Sequence, residues 1–305
     1  MRALVIDSHK GLKDVIPQNL HWKNAKTIAD LLGAKLIWSY KGVNDEIESD
    51  YDVIVFVHAS AYEYVDRDWV RKSPNAKLFY VTNEYNLGEA RILWTAAKEG
   101  RRYDVIANHE PDISRVTKKY VDNWNVVNLN ALCYSPKQII QQLTPKHYIY
   151  YGSFRKGRKG AYLKYLGLLF NNQDTLISTH QKNREKFDNL IEWPENRYID
   201  RIDWDGRGLS LYKASIYLED YVTHESYNYL ANRFYEALNY HIPTVFAEEC
   251  INTVEKSGLE VPPELYARRN ELPYVDEFVV PTQWYDLANS EKSKTKNDLL
   301  KILTS

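Results

Sequence analysis

The sequence predicts an α/β protein made of two successive series of parallel strands and helices. Three observations carry that expectation. Short β-branched runs alternate with stretches of helical apolar spacing. The strongest run, Val53-Ile54-Val55-Phe56-Val57, is continuous rather than alternating, as for a central parallel strand covered on both faces. The alternation then starts afresh near residue 148, after a stretch bracketed by Tyr134-Ser135-Pro136 and Thr144-Pro145 that reads as an interdomain link.

The elements follow in order. Residues 3–6 form a strand at the start, with Asp7-Ser8-His9-Lys10-Gly11 as the loop at its carboxyl end. Ala25, Ile28, Leu31 and Leu32 place a helix over 24–32. Strands follow at 35–39, 53–57, 78–81 and 105–107, and 125–129 adds a sixth. In the second series the strands fall at 148–151, 175–178, 215–218 and 242–247, with helices at 184–191 and 228–239 and a polar terminal helical region over 284–303. Ligands of open parallel sheets bind outside the carboxyl ends of the strands. That rule gathers residues 7–11, 58–60, 83–84 and 108–110 on one rim of the first series.

Composition narrows the setting. With 305 residues, 44% hydrophobic and 27% charged, the chain is globular and long enough for two domains. Its formal net charge of −1 provides no global field for nucleic acid, so any such binding rests on local patches. Two cysteines, Cys133 and Cys250, make no disulfide framework and suit a reducing compartment. Met1 leads directly into the first strand, and no apolar run is long enough to cross a bilayer, so a cytoplasmic protein without a membrane partner is expected.

Two stretches carry chemistry. In the first, 147–170, a strand (Tyr148-Ile149-Tyr150-Tyr151) is followed by a loop from Gly152 to Gly160 and then a helix. Strand, glycine loop and helix form a phosphate site, because the helix N-terminus offers unpaired N–H groups and glycine lets the backbone approach. Arg155, Lys156, Arg158 and Lys159 crowd that loop. The same cations also suit a plain solvated loop, and the motif is neither a Walker loop nor GxGxxG. In the second stretch, 227–248, Arg233 and Glu236 stand three apart on one helix face. They fit an intrahelical ion pair, or an arginine on phosphate and a carboxylate on a ribose diol.

Together these stretches resemble a known family. Glu236-Ala237-Leu238 followed by Ile242-Pro243-Thr244-Val245 resembles the signature of nucleotide-sugar glycosyltransferases of the GT-B fold, two Rossmann-like domains with a cleft between them. Tyr151-Gly152-Ser153-Phe154-Arg155-Lys156-Gly157 is similar to a loop of the DNA β-glucosyltransferases of T-even phages. Ser49-Asp50-Tyr51-Asp52, Tyr103-Asp104-Val105-Ile106 and Tyr134-Ser135-Pro136 fall in the same order as similar segments there. The resemblance implies an N-terminal acceptor domain over 1–143, a nucleotide-sugar domain over 144–285, and a C-terminal helix over 286–305 that returns to the first domain.

By the same resemblance the donor is a UDP-sugar, of glucose or of a pentose such as arabinose. Gly152, Ser153 and Arg155 would meet its diphosphate, with Lys159 where the family has a second arginine. Lysine keeps the charge but loses the bidentate fork. Arg233 would take phosphate, Glu236 the ribose hydroxyls, and the backbone of Ile202 the uracil edge. A Mg2+ or Mn2+ ion could ride on the diphosphate, although no metal-ligand spacing stands out in the sequence.

The match fails at the family's general base, an aspartate after a threonine. Here Asn83 follows Thr82, and an amide takes no proton at neutral pH. Glu84 is the first candidate base, with Asp7 and His9 behind it.

The implied acceptor is the hydroxyl of a 5-hydroxymethyl pyrimidine, cytosine or uracil, in double-stranded DNA, for a monomeric enzyme in the host cytoplasm. Candidate backbone contacts are Arg67, Arg71 and Lys72, and Arg91, Lys98, Arg101 and Arg102, which equally suit solvated helix faces. Trp69 and Trp94 lie among them and would stack on bases or fill the core. A glycan, protein or small-molecule acceptor, or a non-catalytic nucleotide- or DNA-binding role, stays open beside this reading.

Overall fold

The computed structural model describes residues 1–7, 20–38, 49–57, 72–83, 93–94, 96–110, 120–138, 145–171, 174–193, 197–199, 202, 208–220, 229–268, 273, 275 and 278–305. The chain divides into two compact units, 1–132 with 291–305, and 133–290.

The first unit is built on a parallel sheet of six described strands. They are β1 (Ala3–Asp7), β2 (Lys35–Trp38), β3 (Val53–Val57), β4 (Lys77–Thr82), β5 (Tyr103–Ala107) and β6 (Val121–Val126), in the spatial order β2-β1-β3-β4-β5-β6. Every residue of β1, β3 and β5 is buried. Their side chains alternate into two cores, as the continuous apolar runs require. Leu4, Ile6, Ile54, Phe56, Tyr80 and Val105 pack on one face. Val5, Val53, Val55, Phe79 and Ile106 pack on the other, against Ala25, Ile28 and Ala29 of helix α1 (Leu20–Leu32) and against Leu299 and Leu303.

The sixth strand lies four residues earlier than the sequence suggested, and the residues after it form a 3-10 turn, Leu129–Cys133. β6 is an edge strand reading VDNWNV, with Val121 buried, Asp122 and Asn123 exposed and Trp124 to Val126 half-buried. An edge strand needs no apolar outer face, so apolar spacing points too late along the chain.

The second unit holds another parallel sheet, ordered β12-β11-β10-β7-β8-β9. Its strands are β7 (Tyr148–Tyr151), β8 (Thr175–Ser178), β9 (Tyr198–Ile199), β10 (Ala214–Tyr217), β11 (Thr244–Ala247) and β12 (Tyr266–Ala267). The two-residue strands β9 and β12 lie at the edges and have no sequence signal of their own. The order reverses between β7 and β10, the point where open α/β sheets leave a crevice.

The helical segment after β7 (α2, 156–169) passes through a 3-10 turn (Lys156–Arg158), an α turn (Lys159–Ala161) and a π-helix (Tyr162–Leu169). Helix α3 spans Gln181–Asp188, three residues ahead of expectation. Helix α4 spans Asn232–Asn239 and starts four residues late. Both offsets matter below. Helix α5 (Ile251–Lys256) follows β11, and Trp284 is fully buried against Phe234, Phe246 and Phe278.

The last helix, α6 (Thr282–Thr304), begins among residues of the second unit and ends among those of the first. Within the first unit, Asn128 Nδ2 donates to Glu291 Oε2 at 3.1 Å, and Thr295 Oγ1 donates to the Asn128 carbonyl at 3.0 Å. No helix among the described residues is long and apolar enough to cross a membrane. Leu299 is fully buried in the first unit's core. Leu299→Ala is therefore expected to lower stability by about 2–5 kcal/mol, read as a shifted urea midpoint at unchanged m-value.

Candidate functional site

The switch point between β7 and β10 is where the second unit's polar residues converge. β7 ends at Tyr151, and the chain turns at Gly152 with φ +154°, a conformation L side chains rarely adopt. Gly152 N–H donates to the Ser178 carbonyl at 3.1 Å, and Thr179 Oγ1 donates to the Gly152 carbonyl at 2.7 Å. The glycine's own amide is thus used within the fold, and Ser153 beside it is exposed.

The basic loop is held by aromatic rings. Phe154 packs on Tyr162 and Phe187 with ring centroids 5.4 and 5.0 Å apart, and Tyr150 on Tyr162 at 5.7 Å. The Tyr162 hydroxyl accepts from Arg155 N–H and from the Tyr150 hydroxyl, both at 3.2 Å, and donates to the Ser153 carbonyl at 3.3 Å. Burial, with Tyr150 beside it, raises the Tyr162 pKa, so the ring keeps the proton that it donates.

The four cations of the loop separate. Arg155, Lys156 and Lys159 are exposed, whereas Arg158 turns inward. Its guanidinium pairs with Glu219 just after β10, and its Nε lies 3.5 Å from Asp220. Gly157 makes room for this, since a Cβ there would stand 3.3 Å from the Asp220 Cβ. Glu219, 4% exposed, also takes Arg233 Nη2 at 3.0 Å, and Arg233 Nη1 donates to the Leu218 carbonyl at 3.2 Å. Burial alone would lower the pKa of either arginine. Glu219 outweighs it and raises both, so both stay charged.

Helix α4 starts late because Ala231 is extended and its N–H donates to the Tyr217 hydroxyl at 2.8 Å. The consequence is chemical. Asn232 and Arg233 fall in the first turn, where the helix offers free N–H groups and positive partial charge. Glu236 lies one turn on, 4% exposed, accepting from Asn232 Nδ2 at 2.9 Å. The Tyr151 hydroxyl faces the Arg233 carbonyl at 2.8 Å and Glu236 Oε2 at 3.3 Å. Burial, then the charge of Glu236, pushes the Tyr151 pKa well up and keeps it a donor.

These groups enclose a cavity of about 140 Å3, lined in part by Gly152, Ser153, His180, Ile202, Arg233 and Glu236. Five of the seven residues expected at a donor site therefore line one pocket: Gly152, Ser153, Ile202, Arg233 and Glu236. Arg155 and Lys159 do not line it. Ile202 N–H donates to Ser178 Oγ at 2.7 Å.

Sequence reasoning missed Ser178, Thr179 and His180, because α3 begins earlier than its apolar spacing suggests. It also missed Arg158 as the buried cation and Glu219 as its partner. Alternation of strand and helix at β8 and β10 could have pointed to the residues just past each strand.

In the first unit the expected rim holds amides. Asn83 is 5% exposed. Its Oδ1 accepts from Asn24 Nδ2 at 2.8 Å, and its Nδ2 donates to Asn130 Oδ1 at 3.4 Å. Asn108 Nδ2 donates to the same Asn130 oxygen at 3.2 Å, and Asn108 Oδ1 accepts from Leu129 N–H at 2.7 Å. Asp7, at the end of β1, is fully buried. Glu84 and His9 lie outside the described residues, as do Arg67, Arg71, Arg91 and Trp69.

Of the remaining surface cations, Lys72 is exposed. Lys98 Nζ sits 3.5 Å from the Trp94 ring centroid. Arg101 pairs with Glu99, and Arg102 with Asp122 at 2.7 Å. Among the described residues no group of three His, Cys, Asp or Glu comes together to hold a metal ion.

No protein-family model matches the sequence, and no curated protein does. Solved structures match in fold. A DNA modifying enzyme, beta-glucosyltransferase, solved in the presence and absence of its substrate uridine diphosphoglucose, is 15% identical over 100% of this chain and 94% of its own, with a TM-score of 0.60. A mutant of the T4 phage enzyme BGT in complex with UDP-glucose is 12% identical over 100% and 95%, with a TM-score of 0.55. A glycosyltransferase from Rickettsia africae is 10% identical over 99% and 94%, with a TM-score of 0.51. The likeness shows the fold, α/β with two parallel six-stranded sheets, as in glycosyltransferases of the GT-B class.

Removing the carboxylate between two half-buried arginines leaves Arg233 without its ion-pair partner and Arg158 with Asp220 alone of the two carboxylates that it meets. Glu219→Gln is expected to cost about 3–5 kcal/mol, measured as loss of unfolding free energy in urea.

Proposed function

We propose that the chain is a glycosyltransferase that takes a UDP-sugar in the second unit and delivers the sugar to the hydroxyl of a 5-hydroxymethyl pyrimidine in duplex DNA. The observation that carries the reading is the presence of Arg233 and Glu236 in one pocket with Gly152 and Ser153. A guanidinium at a helix N-terminus suits a diphosphate. A carboxylate one turn away suits the two hydroxyls of a ribose. Ile202 has its N–H on Ser178, so its carbonyl is the group it offers to the imide N–H of a uracil.

The chemistry follows from that placement. The acceptor oxygen attacks the anomeric carbon, the bond from that carbon to the diphosphate oxygen breaks, and the acceptor proton passes to a base. Negative charge builds on the departing UDP, where Arg233 and the first turn of α4 would stabilise it. A divalent ion, where used, would ride on the phosphates. Asn83 is not that base, because an amide with both ends already hydrogen-bonded neither accepts a proton nor turns toward one. The role would go to Glu84 first, with Asp7 and His9 behind it. The first unit would supply the acceptor, with the likeness to a DNA modifying enzyme supporting DNA over a glycan.

Arg233→Ala and Glu236→Ala should each weaken UDP binding at least tenfold in titration calorimetry, since a hydrogen bond to a charged group contributes about 1.5–3 kcal/mol. Unchanged affinity in both would sink the donor assignment. For the acceptor, duplex DNA carrying 5-hydroxymethylcytosine or 5-hydroxymethyluracil is incubated with a panel of UDP-sugars and digested to nucleosides. A mass gain of one hexose or pentose is expected. No gain with any pair, while UDP still binds, would remove DNA as the acceptor.

A further inference from the structure

His180 lines the same pocket and has an arrangement that the reading above does not use. It is the N-cap of α3, extended at φ −66° and ψ 140°. Its Nδ1 accepts the backbone N–H of Lys182 at 3.2 Å. A ring nitrogen that accepts an N–H carries no proton, so in the neutral imidazole the proton sits on Nε2. The cap therefore fixes the tautomer. It turns Nδ1 to the helix and leaves Nε2–H, with no partner among the described residues, as a donor on an exposed side chain in the pocket wall.

The choice of residue is informative. Serine, threonine, asparagine and aspartate cap helices well with a single oxygen, and histidine is not among the preferred caps. What histidine adds is a second ring nitrogen of opposite polarity, held at a set angle by the first. Arg233 at the start of α4 and Ser153 of the glycine loop line the same cavity, so the walls present a charged donor, a hydroxyl and an imidazole N–H. The N-termini of α3 and α4 both open on it, which favours a negative ligand.

We infer that His180 is a diphosphate ligand whose Nε2–H donates to a phosphate oxygen of the bound nucleoside diphosphate. The inference rests on the nucleotide reading of the pocket. His180 supplies a directed donor through Nε2–H, and Arg233 carries the electrostatic attraction. The proposed nucleoside contacts are other residues, Glu236 and Ile202, so phosphate donation by His180 predicts a loss for UDP and none for uridine.

The test separates capping from ligation. His180→Ser and His180→Asn both keep a preferred cap and should keep the melting temperature of the unsubstituted protein. Affinities for UDP and for uridine are measured by calorimetry on all three proteins, with Arg233→Ala alongside. His180→Ser is expected to lose about tenfold or more in UDP affinity with uridine affinity unchanged. Full UDP affinity in His180→Ser, with Arg233→Ala impaired, would leave the nucleotide site standing and reduce His180 to a cap. Equal losses for UDP and uridine would likewise overturn phosphate donation. If the unsubstituted protein binds neither compound, the nucleotide reading fails and this inference fails with it.

Discussion

One buried carboxylate orders the second unit. Glu219 sits just past β10 and takes a guanidinium from the loop after β7 and another from the start of α4. Three segments distant in sequence are thereby tied at one point. Desolvating a lone carboxylate at this depth would cost several kcal/mol, and two fixed cations are what make the burial tolerable. The trio carries a surplus positive charge. Arg233 is the member of the trio that lines the pocket. The same contact that holds the fold also leaves an anion-seeking group facing the cavity.

A second constraint acts on the loop itself. Gly152 to Arg155 has no regular backbone pairing to define it, and the Tyr162 hydroxyl takes that place by holding Arg155 N–H and the Ser153 carbonyl at once. Tyr162 is in turn wedged among Tyr150, Phe154 and Phe187. The phenylalanine of the Gly-Ser-Phe-Arg run is thus an anchor and not a contact residue. Donors that must meet a ligand in one geometry are set by rings packed behind them.

Much of this was legible in the sequence. Continuous β-branched runs gave the central strands, because a strand buried on both faces can carry nothing else. The Arg233 and Glu236 spacing pointed to one face of one helix. The intrahelical ion pair also weighed for them is not what holds Arg233, which turns to Glu219 instead. Partners of that kind are invisible to spacing, since Arg158 and Glu219 meet only through sheet order. The helix starts misled for a related reason. A histidine cap and an alanine held extended by a distant tyrosine hydroxyl leave no mark in apolar periodicity. In the first unit, Asn83 was legible as a departure from the resembled family. Asn108 was legible on the same rim, whereas the amides of Asn24 and Asn130 that also enclose it were not.

The long last helix has a consequence for how the protein comes into being. Residues 133–290 are an insertion within the first unit, whose core is completed only by Leu299 and Leu303. On the ribosome, the first sheet emerges early, with one apolar face covered in part by α1 and completed only when almost the whole chain has been made. The second unit, contiguous in sequence, can close sooner despite emerging later. The early sheet is therefore the part of the nascent chain that waits longest for its last core residues. Loss of the final helix would strip both cores, Trp284 from the second unit and Leu299 with Leu303 from the first.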